Sequence, residues 1–138
     1  MGIIGVGIDI VHVPRIISLV NRRNPAKLAA RILSPSEFND WEALSPPTAS
    51  TSSDSDTPAT VTGTSKSVRF LAVRWAIKEA AYKALFPHFS PTWKQLSVSK
   101  GGDGEKPRLR FGMFENVRFH VSVSHDGEYL VANVLAED

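Results

Sequence analysis

Asp9, Glu79 and Lys83 are the residues whose types and spacing could do chemistry. Glu79 and Lys83 stand four apart, so on a helix they share one face. Alone, such a pair is an exposed ion pair of about 0.3–0.5 kcal/mol. A carboxylate arriving from a separate element changes its meaning, and Asp9 is that candidate. Two carboxylates from different elements can hold Mg²⁺ and leave coordination positions open for water and for the oxygens of a substrate phosphate. A lysine beside them adds a point charge suited to a phosphate. The three residues point to phosphate chemistry without naming the reaction.

The elements that must position them are legible in the pattern. Ile3–Val11 reads as a strand, with Ile4, Val6, Ile8 and Ile10 on one face and Gly5, Gly7 and Asp9 on the other. The glycines leave room either for a ligand beside Asp9 or for a bulge or tight packing. Pro14 opens a helix that reaches about Arg23, and a second helix covers Ala26–Leu33. Ser34-Pro35-Ser36-Glu37 is a capping box with proline at the first helical position, read here as pure helix initiation for a helix to about Leu44. Val68–Leu85 is the clearest helix, with Phe70, Val73, Ile77, Ala80 and Ala84 in one apolar stripe and Lys78, Glu79 and Lys83 off it. Pro87 stops it.

The C-terminal half reads as strands. Leu96–Lys100 and Arg108–Phe111 flank Gly101-Gly102-Asp103-Gly104, which is turn chemistry and predicts a hairpin. Val117–Ser124 alternates, with Val117, Phe119, Val121 and Val123 opposite Arg118, His120, Ser122 and Ser124. Asp126-Gly127 turns the chain into a return strand at about Tyr129–Leu135. Segregated helices and strands predict an α+β fold, a small antiparallel sheet packed with helices, one long helix carrying Glu79. No internal repeat is visible.

The 138 residues suit a single domain, and an apolar share of 42% is ordinary for a globular protein. Residues 46–67 differ, being Ser, Thr, Pro, Asp and Ala around one large aliphatic, Val61. They cannot bury enough apolar surface to order themselves and read as a disordered surface insertion whose removal the fold should survive. Loop lengthening costs only about 0.6 kcal/mol per doubling. With no cysteine, disulfides, thiolate metal sites and a cysteine nucleophile are excluded. Asp9 interrupts the apolar start, so no signal peptide is expected, and no run approaches the roughly 18 apolar residues of a membrane span.

The net charge of +2 hides an uneven distribution. Arg15, Arg22, Arg23, Lys27 and Arg31 fall in a stretch without an acidic residue between Asp9 and Glu37. That run is either a solvated helix face or a surface for an acidic or phosphate-bearing partner. Nucleic acid is a poor fit, because the run lacks interleaved aromatics, zinc spacing and a recognition motif.

The stretch Gly5-Val6-Gly7-Ile8-Asp9-Ile10, followed by Phe70 to Leu85 (FLAVRWAIKEAAYKAL), resembles the paired signature of the holo-acyl-carrier-protein synthase family, the short 4′-phosphopantetheinyl transferases. Arg31-Ile32-Leu33-Ser34 with Glu37, Gly104-Glu105-Lys106-Pro107 and Val121-Ser122-Val123-Ser124-His125-Asp126 agree with it. The resemblance covers nearly the whole chain except the insertion. It implies Mg²⁺ held by Asp9 and Glu79, with coenzyme A as substrate and an apo acyl carrier protein as acceptor. The carrier serine would attack the β-phosphorus, and adenosine 3′,5′-bisphosphate would leave. Lys83 would lie near the reacting phosphate, Arg74, Lys106, Pro107 and His125 would contact coenzyme A, and Arg15 and Arg22 would meet the acidic carrier protein. On the residues alone, Arg74 also fits solvated surface, Lys106 a turn and His125 a hairpin shoulder. The general base stays open between a water and Lys83. The family further implies a homotrimer with sites between subunits. The insertion's composition is similar to that of fungal members serving a mitochondrial carrier protein, so a free-standing soluble enzyme is expected, mitochondrial or alternatively cytoplasmic. Another Mg²⁺-dependent phosphotransferase or hydrolase is the competing enzyme class, separated by whether free phosphate is released.

Overall fold

The structure is a computed structural model that describes residues 2–44, 65–112 and 114–138. Its order is β1 (Ile3–His12), α1 (Val13–Arg22), α2 (Pro25–Ile32), α3 (Pro35–Glu42), α4 (Lys66–Leu85), β2 (Leu96–Ser99), β3 (Arg108–Phe111), β4 (Arg118–Asp126) and β5 (Tyr129–Glu137). The 46–67 insertion lies almost wholly outside the described residues. Its last three are the exception: Ser65 caps α4 by accepting from the Val68 amide, and Lys66 and Ser67 are helical.

The strands form two antiparallel sheets. One has the order β1-β5-β4, and the other is the predicted β2-β3 hairpin. The first strand thus pairs with the last, which places Asp9 opposite Ala132 and Val11 opposite Leu130. Gly127, at φ +55°, takes the positive-φ position of the β4-β5 turn, where a side chain would be strained.

The core is one contiguous cluster centred on α4, which lies between the β1-β5 face and the N-terminal helices. This changes the expectation of a single apolar stripe. Ile77, Ala80 and Ala84 are buried as predicted, whereas Phe70 and Val73 are only partly covered. Leu71, Ala72, Ala76, Ala81 and Leu85 are buried too, so the helix is enclosed on most of its circumference.

The glycine face of β1 also resolves. A Cβ on Gly7 would sit 1.8 Å from the Ala80 carbonyl oxygen, and one on Gly5 would sit 2.2 Å from that of Ala84. The space beside the glycines is therefore filled by the backbone of α4, which is the tight-packing alternative and not a ligand path. The other face of β1 points outward, leaving Val6 54%, Ile8 56% and Ile10 61% exposed on the single chain.

Gly7→Ala should push α4 off β1, because the contact is with backbone and cannot yield by a rotamer change. Overpacking of this kind costs about 1–3 kcal/mol. The expected result is a lower urea midpoint with an unchanged slope, whereas Gly2→Ala, in open space, should leave the midpoint unaltered.

Candidate functional site

The close contact of β1 and α4 brings the predicted residues together. Lys83 donates to Asp9 Oδ1 at 3.1 Å and to the Ile8 carbonyl at 2.9 Å. It therefore bonds across to the strand, and among the described residues it makes no ion pair with Glu79 one turn away. Asp9 keeps 15% of its side-chain surface and Lys83 keeps 50%, so the pair lies at the edge of the core and open to solvent.

Glu79 is half-buried on the same helix. Its carboxyl is raised above the usual carboxylate range, first by burial and then by the negative charge of Asp9, while Lys83 and Arg15 oppose the shift. Two carboxylates close enough to resist joint ionisation are a donor set that a divalent cation relieves. Among the described residues no three metal-ligating side chains gather; a divalent cation held by Asp9 and Glu79 would take its remaining ligands from water or substrate. That suits Mg²⁺, which keeps several waters, and does not suit a caged transition metal.

Beside Glu79 lies a cleft of about 210 Å³, lined also by Lys78, Tyr82, Pro91, Thr92, Trp93 and Leu96. Lys106 and Pro107 are elsewhere. They line an open depression of about 560 Å³ with His120, Ser122 and Asn133 on the outward face of the sheet. His125 is exposed near the end of β4. On one chain, then, Lys106 and Pro107 lie on a different surface from Lys83.

Arg74 does not lie on surface. It is 9% exposed, packs over the Phe70 ring at 3.3 Å from the centroid, and lies 3.6 Å from Glu37 Oε2. Burial lowers its pKa to about 10 against the pull of Glu37 and Asp40, so it stays protonated near neutrality. Arg15 is exposed, with its guanidinium 5.9 Å from the Trp75 ring centroid. Arg22 is exposed at the end of α1. The remainder of the basic run surrounds clefts formed by Arg23, Lys27 and Arg31 with Leu28. The run is thus an external patch on α1 and α2.

Sequence reasoning missed the pair formed by Lys78 and Glu37. Lys78 was placed off the apolar stripe, yet its side chain is fully buried and bonded to Glu37. The capping box does more than start α3. Glu37 Oε1 accepts from the Ser34 amide at 2.8 Å as the box requires, but the Ser34 hydroxyl turns to Ser97 at 2.9 Å. The available signal was a lysine amid the buried alanines of α4, which demands an interior acceptor.

Comparisons with known proteins give the family and the fold. Residues 5–134 match the family profile described as the 4′-phosphopantetheinyl transferase superfamily. The chain is 36% identical to 4′-phosphopantetheinyl transferase B, mitochondrial, of Aspergillus fumigatus, over 96% of this chain and 93% of that one. It is 32% identical to the holo-[acyl-carrier-protein] synthase of Mycoplasmoides gallisepticum, over 98% and 97% of the respective chains. Among solved structures it superposes on the Neisseria meningitidis holo-[acyl-carrier-protein] synthase with a TM-score of 0.73 at 26% identity, covering 99% of this chain and 100% of the other. The Bacillus anthracis synthase, solved in complex with CoA (3′,5′-ADP), gives 0.70 at 28% identity, covering 99% and 97%.

The raised carboxyl of Glu79 fixes a pH dependence. The folded state binds this proton more tightly than the unfolded chain, so stability falls as pH rises from the ordinary glutamate range through the higher folded value. In metal-free buffer, Glu79→Gln should therefore raise the melting temperature relative to wild type at pH 7.5. Near pH 4, where Glu79 is largely protonated in the folded state, most of that gain should be lost. Thermal unfolding of both proteins at the two pH values checks this.

Proposed function

The chain belongs to the 4′-phosphopantetheinyl transferase superfamily, and on that premise we propose that it moves the 4′-phosphopantetheine arm of coenzyme A onto a serine of an apo acyl carrier protein, with Asp9 and Glu79 holding Mg²⁺. The observation that carries this reading is the convergence of Asp9, Glu79 and Lys83 across the β1–α4 contact, with Lys83 bonded to Asp9. The relatives named above as holo-[acyl-carrier-protein] synthases, and the neighbour with bound CoA (3′,5′-ADP), support the substrate and the acceptor.

Each residue has a task derived from its place. Asp9 and Glu79 present two anionic oxygen donors from rigid elements, one on a strand and one on a helix. Lys83 restrains Asp9 and carries a half-exposed ammonium toward any phosphate arriving there. The metal, when bound, neutralises charge on the pyrophosphate oxygens and orients the leaving adenosine bisphosphate. The serine oxygen forms the new bond to phosphorus, the bond to the bridging oxygen breaks, and the serine proton passes to solvent or to a basic group at the site.

The outward face of β1 and the split of the coenzyme A residues favour a homotrimer. Val6, Ile8 and Ile10, with Val131 and Leu135 of β5 beside them, form an apolar strip that the described residues leave uncovered. A second copy seated there would bury the strip. It could also bring Lys106, Pro107 and His125 of one subunit toward Asp9 and Glu79 of its neighbour, uniting the two surfaces. Arg15 and Arg22 are the docking residues for the acidic carrier protein. A mitochondrial carrier fits the Aspergillus relative, whose name places it there. No helix among the described residues is long and apolar enough to cross a membrane.

Incubation with coenzyme A, Mg²⁺ and apo carrier protein should add one phosphopantetheine to the carrier by mass, with adenosine 3′,5′-bisphosphate as co-product. Asp9→Ala and Glu79→Ala should each reduce the rate by about 10²–10³-fold, as expected for lost charge stabilisation at a reacting phosphate. Full activity in either variant, or release of free phosphate instead, rejects the assignment. In sedimentation the wild type should run as a trimer, and Ile8→Glu should run as a monomer with lowered transfer. Arg15→Glu with Arg22→Glu should raise KM for the carrier protein, with the deficit shrinking at high salt.

A further inference from the structure

Lys78 and Glu37 form the most buried charged cluster among the described residues, and the reaction as described above does not use it. Their side chains are 0% and 1% exposed. An ammonium has three donors, and each has a partner here. Lys78 Nζ donates to the Ile32 carbonyl at 2.8 Å, to the Trp93 carbonyl at 3.0 Å and to Glu37 Oε1. Glu37 is as fully engaged. Oε1 also accepts from the Ser34 amide, and Oε2 accepts from the Val98 amide at 3.1 Å. The Arg74 guanidinium stands beside Oε2.

Two side chains thus tie together the end of α2, the start of α3, the turn before β2, β2 itself and the middle of α4. A buried ion pair is weak support for stability, because well-packed apolar residues in its place are often neutral or better. What it supplies is geometry, since each bond fails if the helix turns or slides. The residue after Lys78 is Glu79. Lys78, Glu79 and Trp93 also border the same cleft.

We propose that the Lys78–Glu37 pair is a positioning device for the active site, locking the turn of α4 that carries Glu79 against the cleft wall at Trp93, so that the Glu79 carboxylate meets Asp9 in metal-binding geometry. The inference rests on the reading that Asp9 and Glu79 hold the metal. Lys78 and Glu37 act through Glu79 and do not touch the substrate. Residues that orient a metal ligand typically change affinity or rate by about 10–100-fold when removed. Placement errors of about 1 Å at a reacting centre cost about 10²-fold.

The test is the paired substitution Glu37→Gln with Lys78→Met, which removes both charges and keeps the side-chain volumes. The milder Lys78→Met alone, which leaves the Glu37 carboxylate its two backbone amides and the neighbouring Arg74, is measured in parallel and decides the matter if the double variant does not fold. Transfer to the carrier protein gives kcat and KM, and titration of the protein with Mn²⁺ alone, followed by the loss of free Mn²⁺ signal in electron paramagnetic resonance, gives metal affinity without turnover. The expected result is a folded protein whose kcat falls about 10–100-fold and whose Mn²⁺ binding weakens at least fivefold. KM for the carrier protein, which docks on α1, should stay within twofold. A folded variant with kcat and Mn²⁺ affinity both within twofold of wild type overturns the proposal and leaves the pair a purely structural one. A wild type that transfers the arm but binds no Mn²⁺, or whose affinity is unchanged by Glu79→Ala, rejects the metal assignment itself, so the two failures are distinguishable.

Discussion

Everything at this site depends on how closely one helix lies on one strand. The carbonyl oxygens of Ala80 and Ala84 occupy positions where side chains on Gly7 and Gly5 would be. Only glycine on β1 permits that approach, and only small residues on α4 make it continuous: Ala76, Ala80, Ala81 and Ala84 are all fully buried. The gain is dispersion and desolvation over a dense contact. The chemical consequence lies at the contact's edge. There the same approach lets Lys83 reach the backbone of Ile8 and the carboxylate of Asp9, and sets Glu79 near enough to Asp9 for the Asp9 charge to help raise the Glu79 carboxyl.

The helix separates two sets of charges by one residue. Lys78 points into the protein, where its ammonium is matched atom for atom by acceptors from separate segments. Glu79 points to the cleft, where its carboxylate among the described residues has Asp9 as a like-charged neighbour and no ion-pair partner of its own. The interior Lys78–Glu37 pair is fully hydrogen-bonded and holds elements in place. The exterior set is incomplete, and a cation bound there would relieve it. Burial lowers the pKa of Lys78, and Glu37 opposes that shift in part. This difference in satisfaction divides scaffold from site more clearly than residue type does.

Much of this was readable in advance. The strand at Ile3, the helices opened by Pro14 and by the capping box, the long helix ending before Pro87 and both hairpins follow from local rules of periodicity and turn chemistry, and they stand within a few residues of their expected bounds. Asp9, Glu79 and Lys83 were legible as a set because motif order and spacing carry them. The glycine-lined face of β1 fits either a ligand path or tight packing by pattern alone, and α4 decides for packing. Two readings went astray, each because a partner distant in sequence decided the matter. Lys78 was placed outside the packed face, and a second layer of helices encloses it. Glu37 was taken as a cap alone, and Lys78 and the Val98 amide claim its remaining lone pairs.

By itself the amino-acid sequence determined the elements, the candidate residues for phosphate chemistry and the family, because periodicity, capping and motif spacing are properties of neighbours along the chain. Tertiary structure alone decided that β1 pairs with β5, that its isoleucines face outward, and that Lys106 and Pro107 lie on a different surface from Glu79. It also decided that Lys83 bonds to Asp9 across the β1–α4 contact and not to the glutamate one turn before it. The physical reason is the same in each case. Burial, desolvation and hydrogen-bond satisfaction are set by whichever segment arrives from afar, and a local pattern does not specify that segment.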